Sequence, residues 1–130
     1  MKITCIPTGY LGTNTYLILG KYQGKDYSLL IDPAGITDKL KSNMPPKLTG
    51  IILTHGHFDH VAYLPYFSSK YPDTKVFIHP NDGFYIESNG WHYHTEDFYN
   101  LGLTSWVENV ESLGFPFPAG YEALTDGKDV

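Results

Sequence analysis

Residues 53–60 read LTHGHFDH and place three histidines and an aspartate within six positions, His55 to His60. Just before them, LTGIILT is a nearly continuous apolar run of strand length, of the kind that suits an interior strand buried on both faces. His55 and His57 are two apart, and in an extended segment such side chains point to the same side. Gly56 between them permits backbone angles that other residues resist. Asp59 and His60 add a carboxylate and a third imidazole. One histidine after a strand is usually a surface or core residue. Three so close together, beside an aspartate, are hard to explain structurally. Nitrogen and oxygen donors in this mixture suit Zn²⁺ best, with Fe or Mn as alternatives. A metal held there lowers the pKa of bound water to about 7 and yields hydroxide at neutral pH, a hydrolase's nucleophile. Spacing alone leaves the reaction open.

Working outward, Pro65 is favoured at a first helical position and disfavoured inside a helix. A helix is therefore expected from about Pro65 to Tyr71, before Pro72, with residues 55–64 a loop holding at most one tight turn. KVFIH is the next strand, so strand, helix and strand make a βαβ unit and part of the sheet should be parallel. Upstream, KITCIP and TNTYLIL read as strands separated by a glycine-containing turn. YSLLID follows the polar GKYQGKD, which fits a hairpin with a loop longer than two residues. GITDKLKSN is a short amphipathic helix candidate closed by PPK. Between Asn81 and Gly120 the periodicity is weak. One helix stands out there: Ser105 and Glu108 match a capping box, Val107, Val110 and Leu113 share a face, and Gly114 is a stop. The closing YEALTDGKDV reads as extended chain and then an Asp126-Gly127 hairpin turn whose return strand is missing, so the sequence looks cut.

Composition bounds the rest. At 130 residues and 42% hydrophobic content, residues 1–130 make a single domain with a real core, and disorder is excluded as the default. The net charge of −5, with no basic stripe, argues against nucleic acid as a partner. No apolar run approaches membrane-spanning length, and MKITCIPTGY lacks the apolar core of a secretory signal. Cys5, the only cysteine, is expected as a small core residue and fits a reducing cytoplasm.

THGHFDH resembles the T-H-x-H-x-D-H signature of the metallo-β-lactamase superfamily and matches it at every defined position. TNTYLI, LLIDPAG, GIILTHGHFDH, KVFIHPND and LTDGKDV fall in the order of that superfamily's landmarks, nearest in flavour to its glyoxalase II branch. The resemblance implies an α/β fold: the N-terminal half of an αβ/βα sandwich with a mixed β-sheet and metals at one edge. It implies a metal-dependent hydrolase, most simply with two zinc ions, acting on an ester, thioester, lactone or amide of a small-molecule substrate. His55 and His57 then match ligands of the first metal, and Asp59 and His60 ligands of the second. Asp59 is also the catalytic candidate that orients hydroxide or relays a proton. Asp32 matches an aspartate that supports the metal loop; read without the resemblance, it is equally a polar residue ending a buried strand.

The superfamily draws its remaining ligands from a later histidine, a bridging aspartate and a final histidine, none of which can be matched here. A catalytic zinc normally has three protein ligands and a water. Among the remaining histidines, His92 and His94 have same-side spacing, but pocket lining or surface exposure is the preferred reading. His79, before Pro80, reads as structural. Two readings follow: part of a hydrolase, or a catalytically incomplete module that binds metal weakly. In either case a sheet face lacks its partner, so self-association or a separate C-terminal chain is expected.

Overall fold

Apolar and polar residues alternate along the first three strands, and alternation sends successive side chains to opposite faces. In the computed structural model, which describes residues 1–124, the strands are β1 (Lys2–Thr8), β2 (Thr13–Tyr22) and β3 (Lys25–Ile31), joined as an antiparallel meander. The β2–β3 connection is a two-residue turn at Gln23-Gly24, not the longer loop expected. Gln23 and Gly24 have φ of 50° and 77°, the left-handed pair that a tight twisted hairpin requires. The polar Lys21 and Tyr22 therefore belong to the strand.

After β3 the chain crosses through α1 (Asp38–Asn43), where Thr37 accepts the Leu40 N–H and caps the helix. It re-enters the sheet as β4 (Gly50–Ile52), shorter than the apolar run suggested. Next come α2 (Phe58–Val61), α3 (Leu64–Lys70) and β5 (Lys75–Ile78). β4 lies parallel to both β3 and β5, as the βαβ reading requires. α2 is the one tight turn expected in the loop of residues 55–64, and it is helical. It forms because Phe58 and Val61 bury on one side of it while the donors stay outside.

The segment read as irregular is mostly helical. It holds a 3₁₀ helix (Pro80–Ile86), then α4 (Gly90–Tyr99) and α5 (Thr104–Glu111). α5 was expected from a Ser105 cap, but Leu103 occupies the cap position and no side chain bonds there. Val107 is buried, whereas Leu113 is exposed and past the helix end. β6 (Glu122–Ala123) pairs parallel with β5 and completes a six-stranded mixed sheet in the order β1-β2-β3-β4-β5-β6. The expected Asp126-Gly127 turn lies outside the described residues. No helix among the described residues is long and apolar enough to cross a membrane.

One face of the sheet carries the core. Ile6, Leu17, Leu30, Ile51 and Val76 meet Leu40, Val61, Leu64 and Phe67 of the helices there. The opposite face is only half covered. Register places Ile3, Ile18 and Leu29 in one cross-strand row and Cys5, Tyr16, Ile31, Ile52 and Phe77 in the next. Cys5 lies on this face and is exposed, not a core residue. β1 is an edge strand and its Ile3 and Cys5 are exposed on this side, so the alternation alone could not say which of its faces is covered.

Candidate metal centre

Parallel neighbours end at the same edge of a sheet, and that edge is where α/β proteins build sites. β3, β4 and β5 bring Asp32, the donor loop and the 3₁₀ helix to one edge. The loop's burial alternates: His55 and His57 are exposed, Gly56 and Phe58 buried. Phe58 is the anchor, 0% exposed and packed edge-on against Trp106 at 4.8 Å and Phe98 at 6.2 Å. With it fixed inside, the imidazoles on either side must point out. The His55 and His57 rings are 6.4 Å apart and near-parallel, and the His55 and His60 rings 4.7 Å apart. His60 Nε2 lies 3.5 Å from Asp59 Oδ2. The three imidazoles thus gather on one side of the loop with Asp59 at their margin. Among the described residues, no three such side chains form a finished cation cage.

Asp32 is the organiser. Its Oδ1 accepts the Thr54 N–H at 2.8 Å, and its Oδ2 accepts both the Thr54 hydroxyl and His60 Nδ1–H, the latter at 2.9 Å. A carboxylate only accepts, so the neutral His60 ring carries its proton on Nδ1 and keeps a lone pair on Nε2. The Thr54 hydroxyl has spent its one hydrogen on Asp32. It must therefore accept from His55 Nδ1, 3.1 Å away, which leaves His55 Nε2 bare as well. One carboxylate thereby sets the tautomers of two histidines, the outer-shell device that orients metal-bound imidazoles. Three imidazoles and a carboxylate are also the donor types that zinc, iron or manganese take, so the loop has the donor chemistry for such an ion.

Asp32 has φ of 54°, a left-handed conformation uncommon outside glycine. Its backbone is held from both sides. Its N–H donates to the Ile52 carbonyl at 3.1 Å, and its carbonyl accepts from Thr15 Oγ1 at 2.8 Å. Thr15 in turn accepts from the buried Thr8 hydroxyl at 2.6 Å. Thr13 Oγ1 donates to the Asp59 carbonyl at 2.6 Å, tying β2 to α2. Strain kept by so many partners is characteristic of functional sites.

The remaining histidines divide. His79 caps the 3₁₀ helix, its Nδ1 accepting the Asn81 N–H at 3.1 Å, in line with a structural role. His92 is exposed and pairs with Glu96 at 3.2 Å. His94, read as pocket lining or surface, is fully buried instead. Its Nε2 donates to the Tyr85 carbonyl at 2.9 Å, and burial lowers its pKa to about 4. Helical geometry separates the pair: two residues turn a helix through about 200°, so His92 and His94 face opposite ways.

The aromatics sort the same way. Trp91, Phe98 and Trp106 pack into the core, whereas Phe84 and Tyr93 are 39% and 38% exposed. They form a shelf one ring beyond His57: His57 to Tyr85 is 5.6 Å, Tyr85 to Phe84 4.2 Å and Phe84 to Tyr93 4.9 Å. Burial and the neighbouring Asp97 push the Tyr85 hydroxyl up to about 12, so it stays protonated. A cleft of about 650 Å³ opens at the other end of the strands among Leu19, Tyr27, Pro46 and Thr49, and no histidine lines it.

Sequence reading missed Thr54's relay and Asp82. Asp82 Oδ2 accepts the Gly56 N–H at 3.0 Å. The signal that points to it is topological: KVFIHPND ends a strand parallel and next to GIILT, so Asp82 has to emerge beside the donors. Gly56 also serves differently than expected. Its φ is not left-handed; a Cβ there would lie 2.4 Å from the Tyr85 ring. It is glycine for want of space.

The sequence model described as the metallo-beta-lactamase superfamily matches residues 8–127. The probable metallo-hydrolase YqgX of Bacillus subtilis is 34% identical over 85 residues, 63% of this chain and 38% of that protein. An uncharacterised protein of Mycobacterium bovis is 31% identical over 111 residues, 78% of this chain and 42% of its own length. The chain thus spans about two fifths of the curated relatives it matches. Among solved structures, the B3 metallo-β-lactamase BLEG-1 superposes with a TM-score of 0.59 at 20% identity, over 98% of this chain and 55% of that one. An archaeal superfamily protein from Sulfolobus tokodaii gives 0.60 at 21%, over 93% and 45%. A protein solved in a di-iron-bound form gives 0.52 at 20%, over 95% and 56%. These structural likenesses establish the shared fold.

Proposed function

Because this chain belongs to the metallo-β-lactamase superfamily, we propose that it carries the first four metal donors of a dinuclear zinc hydrolase acting on a small-molecule ester, thioester, lactone or amide. His55 and His57 would hold one ion, and Asp59 and His60 the other. Bound ions supply a water acidic enough to attack a carbonyl at neutral pH. Asp32 orients His60 directly and His55 through Thr54, so both present Nε2. Asp59, half-buried and 3.5 Å from His60 Nε2, would on this reading orient the attacking water and take its proton. The Phe84–Tyr93 shelf is suited to the apolar part of a substrate. A thioester substrate of the glyoxalase II kind is the narrower form of this reading.

The observation that carries the reading is the single Asp32 carboxylate fixing two imidazoles with their lone pairs free. The test is to equilibrate the protein separately with zinc, iron(II) and manganese(II), measure uptake, and assay a panel of esters, thioesters, lactones and amides. Metal uptake lost in His55→Ala and His57→Ala, together with metal-dependent turnover, is the expected result. No uptake by the parent sinks the metal reading.

A second reading is favoured by one observation. No three donors among the described residues form a finished cage. On this reading the chain is an incomplete module that holds metal weakly until another polypeptide surface supplies further donors. Uptake without turnover of any substrate would select it.

A further inference from the structure

We propose that Asp82 is a positioning residue for the donor loop: its carboxylate holds the Gly56 peptide and thereby sets the spread of the His55 and His57 imidazoles. The inference rests on the metal reading of those two histidines. They can share an ion only while the peptide between them keeps its extended course. Glycine has the widest choice of backbone angles of any residue, so a glycine at that point leaves the spacing unfixed by its own sterics. Something outside the loop has to fix it.

The 3₁₀ helix does so from two directions. The Gly56 N–H donates to Asp82 Oδ2 at 3.0 Å, a bond to a carboxylate and so stronger than one between neutral groups. A Cβ on Gly56 would lie 2.4 Å from Tyr85 Cδ2 and 3.0 Å from Asp82 Cβ, so the loop backbone rests directly on this helix. The close approach that demands glycine also brings the amide to Asp82. The freedom glycine introduces is removed by the neighbour that made glycine necessary.

The support is itself immobilised. The Asp82 N–H donates to the His79 carbonyl at 2.9 Å, and the His79 ring caps the same turn through Asn81. A Cβ on Gly90 would lie 2.0 Å from the Tyr85 carbonyl oxygen, so α4 begins hard against that residue. His94 of α4 then donates from Nε2 to this carbonyl and stacks on the Tyr85 ring at 5.2 Å and 18°. With its hydrogen on Nε2, His94 has a bare Nδ1 that finds no partner in the core. An orphaned buried acceptor is costly, and the contact it accompanies is the anchor on Tyr85. Asp82 is half-buried and takes part in no ion pair among the described residues, so its bond to Gly56 is the role the structure gives it.

The test compares Asp82→Ala with Asp82→Asn in the full chain. Zinc affinity is read by competition with a chromophoric chelator, Gly56 amide exchange by NMR, and stability by thermal melting. Losing an outer-shell contact of this kind lowers metal affinity about 10–100-fold. Asp82→Ala should show that loss and exchange the Gly56 amide faster. Asp82→Asn keeps an oxygen that accepts the same N–H, so both readouts should stay near the parent. Unchanged affinity in Asp82→Ala overturns the proposal. Equal loss in both variants also overturns it, by assigning the effect to charge. If Asp82→Ala melts far below the parent, the asparagine variant decides alone. If the parent takes up no zinc, the donor reading fails, and Gly56 exchange still judges the brace: equal exchange in parent and Asp82→Ala overturns it.

Discussion

His60 Nδ1 lies 2.9 Å from Asp32 Oδ2, although 28 positions separate the two residues. The same oxygen receives the Thr54 hydroxyl, while Oδ1 receives the Thr54 N–H. Asp32→Asn is therefore a sharp probe. Asparagine tolerates left-handed φ, so the backbone at 54° is retained. Its oxygen must face the Thr54 N–H, because an NH₂ there would oppose a donor. The NH₂ then faces His60 Nδ1 and forces it to accept, moving the ring proton to Nε2, the atom needed for metal. The expected outcome is a near-parental melting temperature with metal affinity down about 10–100-fold. A variant that binds metal like the parent would remove Asp32 from the centre.

Phe84 and Tyr93 are exposed beside His57, whereas Trp91 packs on Phe117 at 4.7 Å and joins the core. Phe84→Ala and Tyr93→Ala should raise KM for substrates with large apolar groups and change stability by less than about 0.5 kcal/mol. Trp91→Ala should instead cost about 3 kcal/mol of stability. Kinetics on a substrate series of graded apolar size, paired with denaturant melts, separates the two classes. Tyr93→Ala melting early with unchanged KM would return that ring to the core.

His94 makes stability depend on pH. Its pKa is lowered to about 4, chiefly by burial, with Asp97 and the Tyr85 carbonyl pulling it upward and His57 downward. A histidine kept neutral in the fold binds fewer protons than the unfolded chain below about pH 6.5. Stability should therefore fall as pH drops from about 6.5 and level near 4, by up to about 3 kcal/mol in all. Melts of metal-free protein between pH 7 and 5 read this before most carboxylates titrate. A slope unchanged in His94→Gln would assign the loss elsewhere.

The face bearing Ile3, Cys5, Tyr16, Ile18, Leu29, Ile31, Ile52 and Phe77 carries two apolar cross-strand rows. Burying apolar surface stabilises by about 25 cal/mol per Å², so this face should drive assembly with a second copy or with a separate chain. Light scattering over a concentration series should show mass rising with concentration, and Ile18→Lys with Leu29→Lys should suppress the rise. A monodisperse monomer with a cooperative melt at all concentrations would show the face to be self-sufficient.

The cluster of three histidines and an aspartate, the three antiparallel strands and the βαβ crossover were legible in the chain because each rests on local pattern. Strand alternation, a proline before a helix and four donors packed into six residues all act over a few positions. The fold class followed from these together with the superfamily's ordered landmarks. The tertiary structure alone decided what operates across distance. His92 and His94 look alike in sequence, yet helix rotation sends one to solvent and one to the core. Gly56 reads as a flexible point until Tyr85, 29 residues later, turns out to occupy the space of its Cβ. Asp32 reads as the end of a buried strand until two parallel strands, β3 and β4, bring Thr54 and His60 around its carboxylate. Hydrogen bonds and steric exclusion act between atoms within a few ångströms, and which atoms those are is set by the sheet register, which no single stretch of sequence contains.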